Sequence, residues 1–176
     1  MAKQYFIIAT VLILVLAFTG HLNAGTQPAR QDFTYKTVFV YNFTKYIEWP
    51  QEAAAYHIAV FGKNQGAISA FERMVNAKST SAKPLAMHVF SDVSALADCH
   101  IIFVPAEETP NIPGIKSHYH GAPTIIISEQ PGAIELGSSI NFIEQDGKLK
   151  FELKLKELQN TGLQISQNLV ALAIIK

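Results

Sequence analysis

The stretch Asp32 to Pro50, DFTYKTVFVYNFTKYIEWP, constrains this chain more than any other. It packs seven aromatic residues, Phe33, Tyr35, Phe39, Tyr41, Phe43, Tyr46 and Trp49, into one short span. Phe39, Phe43, Tyr46 and Ile47 recur at i, i+4, i+7 and i+8, the spacing of one helix face. Tyr35, Val38, Asn42 and Trp49 mark a second, more mixed face. Asp32 or Thr34 can cap the helix start, because a short side-chain oxygen there accepts from the free N–H groups of the first turn. Pro50 sets the far limit, since it forces the residue before it out of the α region. A helix so apolar on most sides needs other elements, or a second protein, to cover it. Each aromatic taken singly reads first as a core residue.

Ahead of that helix the sequence reads as an export signal. Lys3 gives a positive start, Tyr5 to Phe18 is an uninterrupted apolar run, and Leu22-Asn23-Ala24 ends in a small residue for cleavage. The run is shorter than the ~20 apolar residues of a spanning helix. Cleavage after Ala24 is expected, with 25–176 as a single domain. An uncleaved anchor is the alternative, and both readings export the chain. The full chain balances 14 basic against 14 acidic residues, and losing Lys3 leaves the mature chain with one negative charge in excess. That balance gives no electrostatic case for nucleic acid or for an anionic membrane surface. Cys99 is the only cysteine, so no intrachain disulfide can form and packing must hold the domain. Cys99 reads first as a small buried hydrophobe, with an intermolecular bridge or redox chemistry as its alternative.

Downstream, near-continuous apolar runs at Tyr56 to Phe61, Leu85 to Phe90, His100 to Val104 and Thr124 to Ser128 read as strands. Such runs suit strands covered on both faces. Helical patterns fall at Ala67 to Ala77, from Ser91 or Asp92 to Leu96, and at Ile115 to Tyr119. The last third turns antiparallel: 139–144 and 148–154 flank Asp146-Gly147, the strongest short-range hairpin signal. There Leu149, Phe151 and Leu153 alternate with Lys150, Glu152 and Lys154, which predicts an edge strand with one wet face. Ser166 caps a closing helix over Gln167 to Ile175. The expected fold is a three-layer α/β domain. Its largely parallel central sheet has about four strands, with a C-terminal antiparallel hairpin and flanking helices.

Nothing in the residues points to catalysis or to a cofactor. The turn Gly62 to Gly66 joins a strand to a helix but matches neither phosphate-loop pattern. His57, His88 and His100 each lie in an apolar strand, where a satisfied structural histidine is the usual outcome. His118 and His120 offer two nitrogens, but no Cys, Asp or Glu close by completes a metal set. Cys99 and His100 are strand neighbours, so their side chains point apart. Glu107 and Glu108 read as an exposed acidic loop. With no nucleophile–base pair, a hydrolase is set aside.

Several blocks, taken in order, resemble a known family. The run Tyr41-Asn42-Phe43-Thr44-Lys45-Tyr46-Ile47-Glu48-Trp49-Pro50 resembles the opening helix of YfiR/HmsC-like periplasmic domains. A strand ending in Gly62 follows, then Cys99-His100-Ile101-Ile102-Phe103. The match closes with Gly137, Ile140-Asn141-Phe142, Lys150-Phe151-Glu152-Leu153 and Gly162-Leu163-Gln164-Ile165-Ser166. The resemblance implies an exported, non-catalytic protein, a homodimer, that binds and represses the periplasmic sensor domain of an inner-membrane diguanylate cyclase or kinase. Release of the cyclase raises cyclic di-GMP and promotes biofilm growth. The best-known members carry stabilising disulfides, and this chain departs from them with Cys99 alone. On this reading the partner contacts are Tyr41, Tyr46 and Trp49 on the first helix, since Tyr and Trp dominate interface energetics. Phe151, Glu152, Leu158 and Leu163 of the C-terminal block join them. The alternative is a small-molecule sensor or carrier. Its crevice would lie at the carboxyl ends of the parallel strands, lined by Gly62–Gly66, Pro105–Glu107 and Ser128–Gln130.

Overall fold

Pleated alternation decides the layering. The computed structural model describes residues 33–176, so the leader reading of 1–24 and the capping role of Asp32 lie outside it. Strands β2 (Tyr56–Phe61), β4 (Ile101–Val104) and β5 (Ile125–Ser128) send successive side chains to opposite faces. Ile58, Val60, Ile101, Phe103, Ile125 and Ile127 enter one apolar core. Ala59, Phe61, Ile102, Val104 and Ile126 enter a second. Every one of these side chains is at most 1% exposed. Strands apolar on both faces must be covered on both, which is why these runs carry no alternation in the sequence.

Among the described residues, β1 (Ile47–Glu48), β3 (Leu85–Phe90), β6 (Ile140–Gln145), β7 (Lys148–Leu153), β8 (Gln164–Ile165) and β9 (Ile174–Ile175) supply the other strands. The main sheet has seven strands in the order β3-β2-β4-β5-β6-β7-β9. From β3 to β6 neighbours run parallel, β6 and β7 form an antiparallel hairpin, and β9 runs parallel to β7. At the hairpin tip Asp146 (φ 54°) and Gly147 (φ 67°) both take the left-handed conformation. A two-residue turn that follows the strand twist requires this. The first core lies under α1 (Thr34–Tyr46) and α2 (Gln65–Lys78), joined by residues of α5 (Leu155–Asn160) and α6 (Gln167–Val170). The second lies under α3 (Ile112–His118) and α4 (Ala133–Leu136). This is the three-layer arrangement. The expected hairpin is not an appendage but continues the parallel sheet.

Three local expectations change. The opening helix stops at Tyr46, not Pro50, because Ile47 and Glu48 leave it to pair antiparallel with Ile165 and Gln164. The Tyr46 carbonyl then accepts from the Ser166 N–H at 2.9 Å. Its buried stripe is Phe33, Thr37, Val40, Phe43, Thr44 and Ile47, one step round from the predicted face, and Tyr46 turns outward at 40% exposure. Phe43 stacks on Phe142 (6.2 Å) and meets Phe151 edge-on (5.4 Å). Thr37 and Thr44 cost little inside, since their hydroxyls donate back to Thr34 O and Tyr41 O. At the other end Ser166 does cap a helix, accepting from the Asn168 N–H, but that helix is a single turn. Ile174 and Ile175 go instead to the open side of β7.

So β7 is not an edge, and the expected wet face is partly closed. Glu152 is only 9% exposed. Its carboxylate accepts from Asn141 Nδ2 at 3.0 Å and pairs with Lys176 Nζ at 2.8 Å. Asn141 Oδ1 in turn accepts from the Ser128 hydroxyl at 2.7 Å. This chain of polar contacts ties β5, β6, β7 and the C-terminal residue together. Burial works to raise the Glu152 pKa, but the hydrogen bonds from Lys176 and Asn141 outweigh it and hold the group below the usual glutamate value.

Glu152→Ala strips Asn141 of its partner inside the sheet, and we expect a loss of about 1–3 kcal/mol by urea unfolding at pH 7. A depressed carboxylate stabilises the fold above its unfolded pKa and stops doing so as pH falls through the folded one. The gap between wild type and variant should therefore be full above pH ~4.3 and shrink below it.

Candidate functional site

Where α1 ends, the chain crosses the amino ends of the parallel strands, and Trp49 closes that crossing. The Trp49 indole N–H donates to Pro123 O at 2.8 Å. Its ring meets Tyr56 at 5.3 Å and His100 at 5.5 Å, both near perpendicular. From His100 a row of rings runs outward across the sheet. His100 and His57 stack at 5.8 Å, His57 and His88 at 5.0 Å, and His88 and Phe90 at 6.1 Å. The parallel register produces this row. Ile58 sits opposite Ile101, which leaves His57 beside His100 on one face, and His88 stands opposite Ala59, two residues on from His57.

Hydrogen bonds link the row and fix the tautomer of His100. The His57 backbone N–H donates to His100 Nδ1 at 3.0 Å, so a neutral His100 carries its proton on Nε2. His57 Nδ1 and His88 Nε2 are 2.8 Å apart, close enough that one donates to the other. Burial lowers the pKa of His88 and of His100, and the neighbouring His57 lowers both further. His88 and His100 are therefore neutral imidazoles at neutral pH.

Beside the row lies a cavity of about 450 Å³ whose lining includes Trp49, Glu52, His57, Asp98, His100 and Pro123. Cys99 also borders it but is buried, at 7% exposed. Its thiol donates to the Tyr119 hydroxyl at 3.3 Å, and that hydroxyl donates to Ala97 O at 2.7 Å. Burial pushes the Cys99 pKa up to about 11; the Tyr119 contact works against the rise and Asp98 adds to it. The thiolate that redox chemistry needs is therefore scarce at neutral pH.

The sequence-predicted contacts separate into two groups. Phe151 (1% exposed), Leu158 (2%) and Leu163 (2%) are core residues beneath α1 and do not reach the surface. Glu152 belongs to the ion-paired network. Tyr41 is half-buried, with the Lys45 ammonium 4.3 Å and the Lys78 ammonium 5.6 Å from its ring centroid. Trp49 is half-buried and Tyr46 exposed. Two residues outside the predicted set, Tyr35 (68% exposed) and Val38 (50%), extend the apolar surface of α1. Their i, i+3 spacing on the mixed face was the signal for them.

The loops proposed as a crevice at the carboxyl ends are bonded to one another. Asn64 Nδ2 donates to Glu107 Oε1 at 2.6 Å, and Glu129 accepts from the Ala106 N–H at 3.0 Å while pairing with Lys36. Asn64 also caps α2, accepting from the Ala67 N–H. The cavity described above opens at the opposite, amino ends. Among the described residues no group of three or more His, Cys, Asp or Glu could hold a metal ion. No described helix is long and apolar enough to cross a membrane. A family model described as YfiR/HmsC-like matches residues 33–174. No curated protein matches the chain.

Neutral histidines held in a folded protein make it sensitive to acid. The unfolded chain takes up protons near pH ~6.5 while the folded one, with lowered pKa values, does not. Stability should fall as pH drops from 7.5 towards 5.5. His100→Asn keeps an acceptor for the His57 N–H and should flatten that slope, as read from urea midpoints at the two pH values.

Proposed function

The chain belongs to the YfiR/HmsC-like family, and on that premise we propose that it is an exported, non-catalytic regulator. It binds the periplasmic sensor domain of an inner-membrane signalling protein, a diguanylate cyclase before a kinase, and represses it. The observation that carries this reading is the outer face of α1. Tyr35, Val38 and Tyr46 are 68%, 50% and 40% exposed. Their spacing sets them along one side of the helix, and half-buried Tyr41 lies on the same helix. A helix that buries one stripe in its own core and leaves tyrosines outside is suited to docking, because tyrosine gives large contact area at a small entropic cost. Phe151, Leu158 and Leu163 support the helix from beneath, and Glu152 pins the sheet under it. Self-association as a homodimer belongs to the same proposal, and with Cys99 buried it would be non-covalent.

The domain should capture a sensor-domain cyclase from solubilised membranes, and cyclic di-GMP should rise when the chain is deleted. A variant with Tyr35→Ala, Val38→Asp and Tyr46→Ala should lose the cyclase while its unfolding midpoint stays close to wild type, because exposed positions change stability by roughly 0.5 kcal/mol or less each. Undiminished capture by that variant, or unchanged cyclic di-GMP on deletion, counts against the reading.

A second reading, a small-molecule sensor, is supported by the cavity under Trp49, whose volume of about 450 Å³ is within the range of ligand sites.

A further inference from the structure

We propose that the cavity at the amino ends of β2, β4 and β5 binds a small organic cation, an amine or quaternary ammonium carried on a flat apolar body. This rests on the sensor reading and names its ligand class. The lining holds two carboxylates, Glu52 and Asp98, and neither lysine nor arginine. Neither carboxylate has a hydrogen bond or ion pair among the described residues. Three other polar groups of the wall are engaged internally. The Trp49 N–H is taken by Pro123 O, the Thr124 hydroxyl by Cys99 O, and His100 Nδ1 by the His57 N–H. What is left in the lining is the two exposed carboxylates, the Gln51 amide, the His100 Nε2 side, ring surface and the apolar residues Pro50, Ala53, Ala122 and Pro123.

That combination selects by charge. An anionic ligand meets two like charges and finds no lysine or arginine in the lining, so no cationic side chain offsets its loss of water. A cation gains both the carboxylates and the rings, which attract positive charge through their electron-rich faces. The same cluster of rings already receives one cation. The Lys83 ammonium lies 4.7 Å from the centroid of Tyr56, the ring against which Trp49 packs. Lys83 itself is outside the lining and donates to Thr44 O, so it neither fills the cavity nor neutralises Glu52 and Asp98. The lowered pKa values of His88 and His100 matter here too. A protonated row beside Trp49 would repel the ligand.

Trp49 is the only tryptophan of the chain, so tryptophan emission excited beyond the tyrosine band reports this site alone. The test titrates the protein with benzyltrimethylammonium, with 3-phenylpropionate as an anion of similar body and benzyl alcohol as a neutral one. The expected result is a saturable change in Trp49 emission with the ammonium only. Its affinity should be about tenfold weaker in a Glu52→Gln, Asp98→Asn variant, because that is the size expected for two partly solvated charge contacts. The variant must keep the wild-type urea midpoint. Equal binding of the acid or the alcohol would overturn the cation assignment and leave the sensor reading standing. No saturable response to any of the three would overturn both.

Discussion

Burial of β2, β4 and β5 on both faces is the constraint from which the rest of this structure follows. Side chains at 58, 60, 101, 103, 125 and 127 demand cover on one side, and those at 59, 61, 102, 104 and 126 on the other. A parallel strand also cannot return by a tight turn, so each crossover supplies a segment to serve as cover. The opening helix takes its aromatic character from this demand. It comes ahead of every strand of the main sheet and lies over the larger core, where Phe33, Phe39 and Phe43 meet rings at 103, 142 and 151. Removing apolar surface from water is the main force that folds such a domain, and here it acts without any disulfide to restrict the unfolded chain.

What could be read from the residues followed how local the deciding interactions are. The six-residue runs YHIAVF and LAMHVF are strands over their full predicted lengths, and Asp146-Gly147 turns the hairpin. The caps at Asp92 and Ser166 also hold. Each is decided within a few residues of chain. The misreadings lie where distant segments pair. Nothing near Ile47 announces that it will leave a helix for Ile165, and nothing near Ile174 announces that β7 has an open side. The misreading of Glu152 as surface has the same origin, since the side chains that enclose it come from β6 and from residue 176.

The candidate site shows the limit more sharply. His57 and His88 were legible as histidines in strands, and His100 lies one residue ahead of β4 rather than in it. Their row was not, because it depends on strand order and register. With β2 placed between β3 and β4, residues far apart in sequence fall on one face at one end of the sheet. The choice of end was also beyond the sequence. Ligands of open parallel sheets are expected beyond the carboxyl ends, yet here Lys36, Asn64, Glu107 and Glu129 tie the carboxyl-end loops together, and a cavity of about 450 Å³ opens at the amino ends.

Trp49 joins the two functional readings in physical terms. It follows the helix whose outer face carries Tyr35, Val38 and Tyr46, and its own ring forms a wall of the cavity. Its indole is held by Pro123 O and by the faces and edges of Tyr56 and His100, so its position reports the state of three strand ends at once. A ligand in the cavity can act on partner binding only through a difference in its affinity for the free and docked forms. Segment 47–49 is where such a difference would be generated, because its pairing with β8 fixes how α1 leaves the core. On the proposed readings contact and sensing meet at one place: the outer side of α1 would take the partner, and the segment that follows it would border the ligand.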